Sequence, residues 1–504
     1  MDAGGSAAVK ALVAGTAGDL QRVSVAEHVS QNARAPVAAL GRVLHLGGRL
    51  QTGNEGGSAL QETAGAGLRR AIGLPHATAM VVGTIIGASI FVQPSEITGR
   101  VPTVTGVFLV WGVAGILTLF GSLVCAELAS VFPRTGGVYV FLKESFGSAL
   151  GFLWGWAMFW VMHTGIIAAI ATVFARYTDY FIPLGATGMR IVAMAVIVVL
   201  SAVNWVGVRQ GATLQALFTA GKLLAVVGII IAGFALGPRA DAAVTVTQAT
   251  TLPDGIGLVD FALALVAGLF AYGGWHMVTY SAEETVDAPR TLPRALIAGT
   301  LIVTVCYIAL NGVYLYVLPI ETVAASTRIA ADAADAVVGR GGGAFMSGLV
   351  MFSTFGALSG IILAGPRVYF AMANDGLAFR WLGRLHDRRG TPHIAILLQA
   401  VWACVLAGTG TYRQLFTAVI YTEWIFFGLM ALGLMRLRAR PGLVAPYRVR
   451  PYPWVPLLFA VAAFAIVANQ IRAEPDQSLI GLSIVLAGLP VWWLWTRTGT
   501  RPAT

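Results

Sequence analysis

From residue 74 onward this chain is a succession of apolar runs, each about 20 residues long, separated by short polar stretches. Runs of that length match the hydrocarbon thickness of a bilayer, where a segment must satisfy its own backbone hydrogen bonds. They read as membrane-spanning helices. Twelve such runs fall near 74–97, 106–131, 149–175, 189–206, 212–236, 258–283, 294–318, 343–372, 393–409, 412–435, 455–471 and 477–496. Charged residues make up only 11% of the chain, against roughly 25% in a soluble domain. The expectation is therefore an all-α polytopic membrane protein of about twelve transmembrane helices.

The charges that remain are not spread evenly. With the N-terminus inside, the inner loops hold more than twice as many Lys and Arg as the outer ones, which places both termini in the cytoplasm. The net charge of +10 is explained by that bias and needs no nucleic-acid partner. Cys125, Cys306 and Cys404 all lie inside apolar runs and read as small buried hydrophobes. The chain shows no metal-ligand spacing and no phosphate-cradling loop, so no metal, cofactor or enzymatic chemistry is expected. Residues 1–70, rich in Gly, Ala, Ser and Gln, read as a flexible cytoplasmic tail or an extended start of the reading frame. Residues 71–497 form the membrane domain and 498–504 a short C-terminal tail.

Two runs carry glycines where a helix least tolerates them, at about 1 kcal/mol per Gly relative to Ala. The first contains Gly83-Thr84-Ile85-Ile86-Gly87-Ala88-Ser89-Ile90-Phe91, and the sixth Phe270-Ala271-Tyr272-Gly273-Gly274-Trp275. Interruptions five spans apart point to two repeats, about 74–236 and 258–435, with accessory helices at about 455–496. Unwinding near Gly87-Ala88-Ser89 frees N–H groups for a carboxylate. Unwinding near Ala271–Gly274 frees carbonyls for an ammonium group. The alternative is plain packing, since Gly83-x-x-x-Gly87 is also a close-contact motif.

Three ionisable residues lie within spans. Lys222 sits about 11 residues into the fifth, roughly 16 Å deep, where a charge is expensive and by default functional. It stands in for a sodium ion between the repeats, exchanges a proton, or tethers helix carbonyls. Glu423 lies mid-span in the tenth; it lines the solute route, tunes cation selectivity, or caps a polar cluster. His276 contacts solute or packs. Phe270 is a lid or packing. Glu127, Arg134, Glu283, Glu284 and Arg290 flank the membrane and read as interloop ion pairs and inner gate.

Taken together, these runs resemble the amino acid–polyamine–organocation superfamily, and within it the L-type amino acid transporters. Phe218-Thr219-Ala220-Gly221-Lys222-Leu223-Leu224, Ala126-Glu127-Leu128, Gly481-Leu482 and Gly488-Leu489-Pro490-Val491 add to the two glycine motifs, in order along the chain from about Gly73 to Arg497. The resemblance implies a five-plus-five inverted repeat of the leucine-transporter type, with discontinuous helices 1 and 6 and rocking alternating access. By that likeness Ile85, Gly87, Ala88 and Ser89 hold the substrate carboxylate. Phe270, Ala271 and Gly273 receive the amino group, and Phe270 is the gate. Lys222 matches the family lysine that replaces sodium and faces Ser359 or its neighbours. This chain departs from the family in having Ala88-Ser89 where Ser-Gly is usual, His276 where relatives often carry Asn, and Glu423 where some carry an amide.

The expected function is sodium-independent transport of α-amino acids across a cell membrane, that of a bacterial inner membrane, by an exchanger or a proton-coupled permease. A polyamine or cationic amino acid carrier, and a transporter-like sensor that binds without transport, remain the alternatives. The expected partners are the amino acid and the lipid bilayer. Animal members of the family dock a glycoprotein through a cysteine between spans 3 and 4, and residues 176–190 contain none, so no disulfide-linked heavy chain is expected.

Overall fold

The computed structural model describes residue 70 and residues 72–206, 209–236, 257–339, 341–386 and 390–497. The tails expected at 1–70 (Arg70 apart) and 498–504 lie outside the described residues. Among the described residues every regular element is a helix, and all twelve apolar runs are helical. Eleven are long and apolar enough to cross a membrane, while His393–Thr409 is shorter at 17 residues.

Span 1 is broken into Leu74–Ile85, a 3₁₀ turn Ser89–Phe91 and Gln93–Arg100. Span 2 is Val104–Val131, span 3 Ser148–Thr178, span 4 Gly185–Val206 and span 5 Arg209–Leu236. Span 6 is broken into Leu258–Ala271 and a 3₁₀ segment Trp275–Glu284. Span 7 is Ala288–Val317, span 8 Gly342–Asn374, span 9 His393–Thr409, span 10 Tyr412–Arg438 and span 11 Trp454–Ala473. Span 12 is two helices, Pro475–Leu486 and Gly488–Arg497. We call the side on which span 1 begins the near face and the opposite side the far face.

Local chemistry fixes several ends. Pro75 occupies the first turn of span 1, where its missing N–H costs nothing. The Thr103 hydroxyl accepts from the Gly106 N–H at the start of span 2, and Thr411 with Gln414 forms a capping box at the start of span 10. Within the membrane, helices approach through small residues. Spans 1, 2, 6 and 7 pack into one bundle: a Cβ on Gly115 would meet Thr304 at 2.7 Å, and Ser122 bonds Thr300 at 2.8 Å. Spans 3, 4, 8 and 9 form a second bundle, in which His163 bonds the Ile361 carbonyl at 2.8 Å and the Gln399 amide donates to the Ile362 carbonyl at 3.1 Å. The breaks in spans 1 and 6 lie where the two bundles meet.

The near face is tied by polar contacts, as the flanking charges suggested. Glu127, fully buried on span 2, takes a two-pronged ion pair from Arg438 and the Val449 N–H at 2.7 Å. Arg367 of span 8 holds Glu284 through Nε at 3.0 Å. Ile72 pairs with the end of span 6, donating to the Glu284 carbonyl at 3.0 Å and accepting from the Val286 N–H at 2.9 Å. Tyr139, on the near-face helix Val138–Phe146, donates to Asp375 at 2.6 Å. Burial, then that carboxylate, holds its phenol well above the ordinary range, so it stays a donor.

Candidate functional site

The span 1 helix stops at Ile86, whose ψ of 75° leaves the helical region. The Gly87 N–H turns back to the Ile85 carbonyl at 2.7 Å, so the Gly83 carbonyl loses its normal i+4 donor. Ala88 keeps an ordinary right-handed φ of −87°, so an alanine fits there without strain. Where the chain rewinds at Ser89, the leading N–H groups have no turn before them to bond. Span 6 stops at Ala271, and Gly274 turns left-handed at φ 97°, where glycine is favoured and a Cβ would meet the Thr84 carbonyl at 3.2 Å. Both breaks therefore expose carbonyls on one side and N–H groups on the other.

The two breaks meet through span 7. The Tyr307 hydroxyl lies 2.9 Å from the Ile85 carbonyl and 3.0 Å from the Ala271 carbonyl. It carries one proton, so it donates to one carbonyl at a time and the other keeps an open acceptor site. Thr84 adds a hydrogen bond to the Gly274 carbonyl at 3.2 Å. A small cavity opens beside this junction. Ile85, Gly87, Ser89, Phe270, Gly273 and Glu423 line it, with Thr84, Gly274 and Met277. Ile166, Ile170, Ile361, Val419 and Ile420 form its apolar wall. On the far side Phe270 packs on Phe416 at 5.4 Å and Tyr412 at 6.2 Å. Tyr412 also accepts from Gln93 at 3.2 Å and lies under Arg176.

Six of the expected site residues line the cavity together, and five do not. Ala88 and Ala271 lie in the breaks, buried and outside the cavity lining; Ala271 takes part through its carbonyl. His276 is behind the cavity, packed edge-on against Trp154, Trp275, Tyr280 and Phe427. The 3₁₀ winding after Gly274 turns it away from the lining, where Met277 faces in. Ser359 does not receive Lys222: Nζ donates to the Gly83 carbonyl at 2.5 Å and the Ile86 carbonyl at 2.8 Å. The broken helix supplies those acceptors, while the Ser359 carbonyl takes the Asn204 amide at 3.3 Å. Glu423 is 3% exposed, and none of the ion pairs among the described residues includes it.

The Gly83-x-x-x-Gly87 motif divides its labour. A Cβ on Gly83 would collide with the Thr219 side chain of span 5, so Gly83 is the close contact that brings Lys222 within reach of span 1. At Gly87 the nearest atom to a Cβ is 3.8 Å away, so no steric demand fixes it, and it faces the cavity. Tyr307 was missed by sequence reading. The signal was available, because a tyrosine hydroxyl deep in a span must find a partner.

The amino acid permease family model matches residues 72–494. Over 464 residues the chain is 34% identical to the human large neutral amino acids transporter small subunit 2, covering 89% of this chain and 84% of that protein. It is 32% identical to the serine/threonine exchanger SteT of Bacillus subtilis, covering 85% of this chain and 97% of the exchanger. It is also 32% identical to the mouse Asc-type amino acid transporter 1, over 86% of this chain and 83% of that protein. With broken first and sixth helices around one cavity and a family match across nearly the whole membrane domain, the chain belongs to the amino acid permease family.

Proposed function

We propose that this chain carries α-amino acids across the cell membrane by alternating access, without sodium, as an exchanger or proton-coupled permease. One observation carries the reading: the Ile85 and Ala271 carbonyls converge on one hydroxyl where both helices break, beside a small cavity that Ile85, Gly87 and Ser89 line. Carbonyls at one pole suit an ammonium group, and a helix N-terminus at the other suits a carboxylate. The apolar wall takes the side chain. Phe270 acts as the far-side gate, and the Glu284–Arg367 pair with the Ile72 bridge closes the near side, which we assign to the cytoplasm with both termini.

Sodium independence rests on Lys222. Its Nζ bridges the span 5 helix to the carbonyls of the span 1 break, where a bound cation would otherwise be required to tie the repeats. Glu423 supports a second substrate reading: a carboxylate with no ion-pair partner among the described residues, facing the cavity, favours cationic or donor-bearing side chains. With no cysteine between residues 176 and 190, the chain works without a disulfide-linked partner.

Purified protein in liposomes, offered a panel of labelled amino acids, tests the reading. Uptake that needs internal amino acid identifies exchange, and uptake abolished by a proton ionophore identifies symport. Binding of panel members with no uptake of any would overturn the proposal in favour of a sensor.

A further inference from the structure

Two of the helices that wall the amino acid cavity depart from regular winding close to it. Span 3 carries a π-helical turn, Met158–Met162, immediately before His163. Such turns are rare and recur at functional sites. Ile166 and Ile170 of the cavity wall follow His163 at i+3 and i+7, so all three share one stripe of the helix. Span 8 supplies the wall residue Ile361 and contains Pro366 just beyond it. Proline has no N–H to offer four residues back, so the Ile362 carbonyl loses its partner in the ladder.

Polar side chains take up the carbonyls at both interruptions. In span 3 the Trp402 indole donates to the Trp160 carbonyl at 2.9 Å and the Thr164 hydroxyl to the Phe159 carbonyl at 2.7 Å. In span 8 the Gln399 amide donates to the Ile362 carbonyl at 3.1 Å, and His163 meets the Ile361 carbonyl at 2.8 Å. A carbonyl only accepts, so Nε2 of His163 carries the proton. Gln399 and Trp402 lie three residues apart on span 9 and therefore on one face of it. Gly365 permits the approach, since a Cβ there would collide with both Gln399 and His163. Both side chains are fully buried, which leaves no water to replace either donor.

The location of these bonds gives them a role beyond holding helices together. His163 belongs to the stripe of span 3 that walls the cavity, and its bond ends on the backbone of the wall residue of span 8. The length of that bond therefore sets the spacing between the two walls. We propose that His163 and Gln399 are positioning residues that determine which side-chain size the cavity accepts, by holding the Ile361 turn of span 8 against the Ile166 stripe of span 3. The inference rests on the reading of that cavity as the amino acid site. Without these donors the Ile361 turn moves away from span 3, and the space gained goes to the side chain of the bound amino acid.

The test is competition binding to the purified full chain, with labelled alanine or leucine, whichever the wild type binds more tightly, displaced by unlabelled alanine and leucine. One methylene in an apolar pocket changes discrimination by about 10–200-fold, so His163→Leu, close in volume but without a donor, should shift the leucine-to-alanine affinity ratio toward leucine by at least about tenfold. His163→Gln, whose amide nitrogen reaches about as far as Nε2, should keep the ratio within about threefold of wild type. Gln399→Met removes the second donor and should shift the ratio in the same direction. An unchanged ratio in His163→Leu, even with a lower thermal stability, overturns the proposal and leaves His163 a packing residue. A shift in His163→Gln as large as in His163→Leu also overturns it. Should His163→Leu fail to fold, Gln399→Met decides, and an unchanged ratio there is equally fatal. Binding is read in place of uptake, so a wild type that binds amino acids without moving them contradicts the transport reading and leaves this test intact.

Discussion

Replacing Lys222 with methionine removes a donor while keeping nearly the same length and packing. Nζ supplies two hydrogen bonds, to the carbonyls of Gly83 and Ile86, at the point where span 1 abandons its own ladder. Lys222 is 1% exposed, so water cannot take its place without repacking. Hydrogen bonds to a charged group contribute about 1.5–3 kcal/mol each, so losing both costs about 3–6 kcal/mol in the geometry of the break. At about 1.4 kcal/mol per factor of ten, the low end of that range is already more than a hundredfold in the population of intact sites. Uptake of a transported amino acid into liposomes, at matched protein content, should therefore fall at least about a hundredfold in Lys222→Met. Exchanging sodium for potassium should leave wild-type uptake unchanged. Uptake by the variant within about threefold of wild type would refute the reasoning, since the carbonyls would then be satisfied without the lysine.

Three further substitutions probe neighbouring links. Gly83→Ala drives a methyl into Thr219 and should cost about 1–3 kcal/mol of overpacking, read as slowed uptake and earlier thermal unfolding; adding Thr219→Ala, which removes the colliding atoms, should restore most of both. Tyr307→Phe deletes the hydroxyl between the Ile85 and Ala271 carbonyls and should lower uptake about tenfold without changing which amino acids are accepted; an unchanged rate would remove Tyr307 from the site. Glu423→Gln should weaken uptake of cationic relative to neutral amino acids by about 10–100-fold, measured as a ratio within one preparation; an unchanged ratio would leave Glu423 a structural residue.

The helices were legible because a bilayer demands apolar runs of fixed length, and the two breaks because glycine is unwelcome inside them. Lys222 was legible for the same reason: an ionisable group at that depth needs an explanation. Its partners were not, because a lysine reaches several ångströms and the sequence does not say which helix lies opposite. Ser359 lay in the expected span, but the carbonyls freed in span 1 took Nζ instead. His276 misled for a geometric reason, as one residue of 3₁₀ phase separates it from Met277, which does face the cavity. The wall residues Ile166, Ile170, Ile361, Val419 and Ile420 carry no sequence signal, since one isoleucine in a membrane span looks like another. Gly83 and Gly87 were offered competing explanations, and each satisfied a different one.

Competition against labelled substrate in liposomes, using one amino acid alongside its methyl ester and its deaminated acid, asks most directly whether the two breaks form opposite poles. The intact zwitterion should compete, while the ester, lacking a carboxylate, and the acid, lacking an amine, should each be at least about a hundredfold weaker, because each leaves one set of backbone groups unpaired. Equal competition by either truncated analogue would mean that the pole it no longer engages plays no part in recognition.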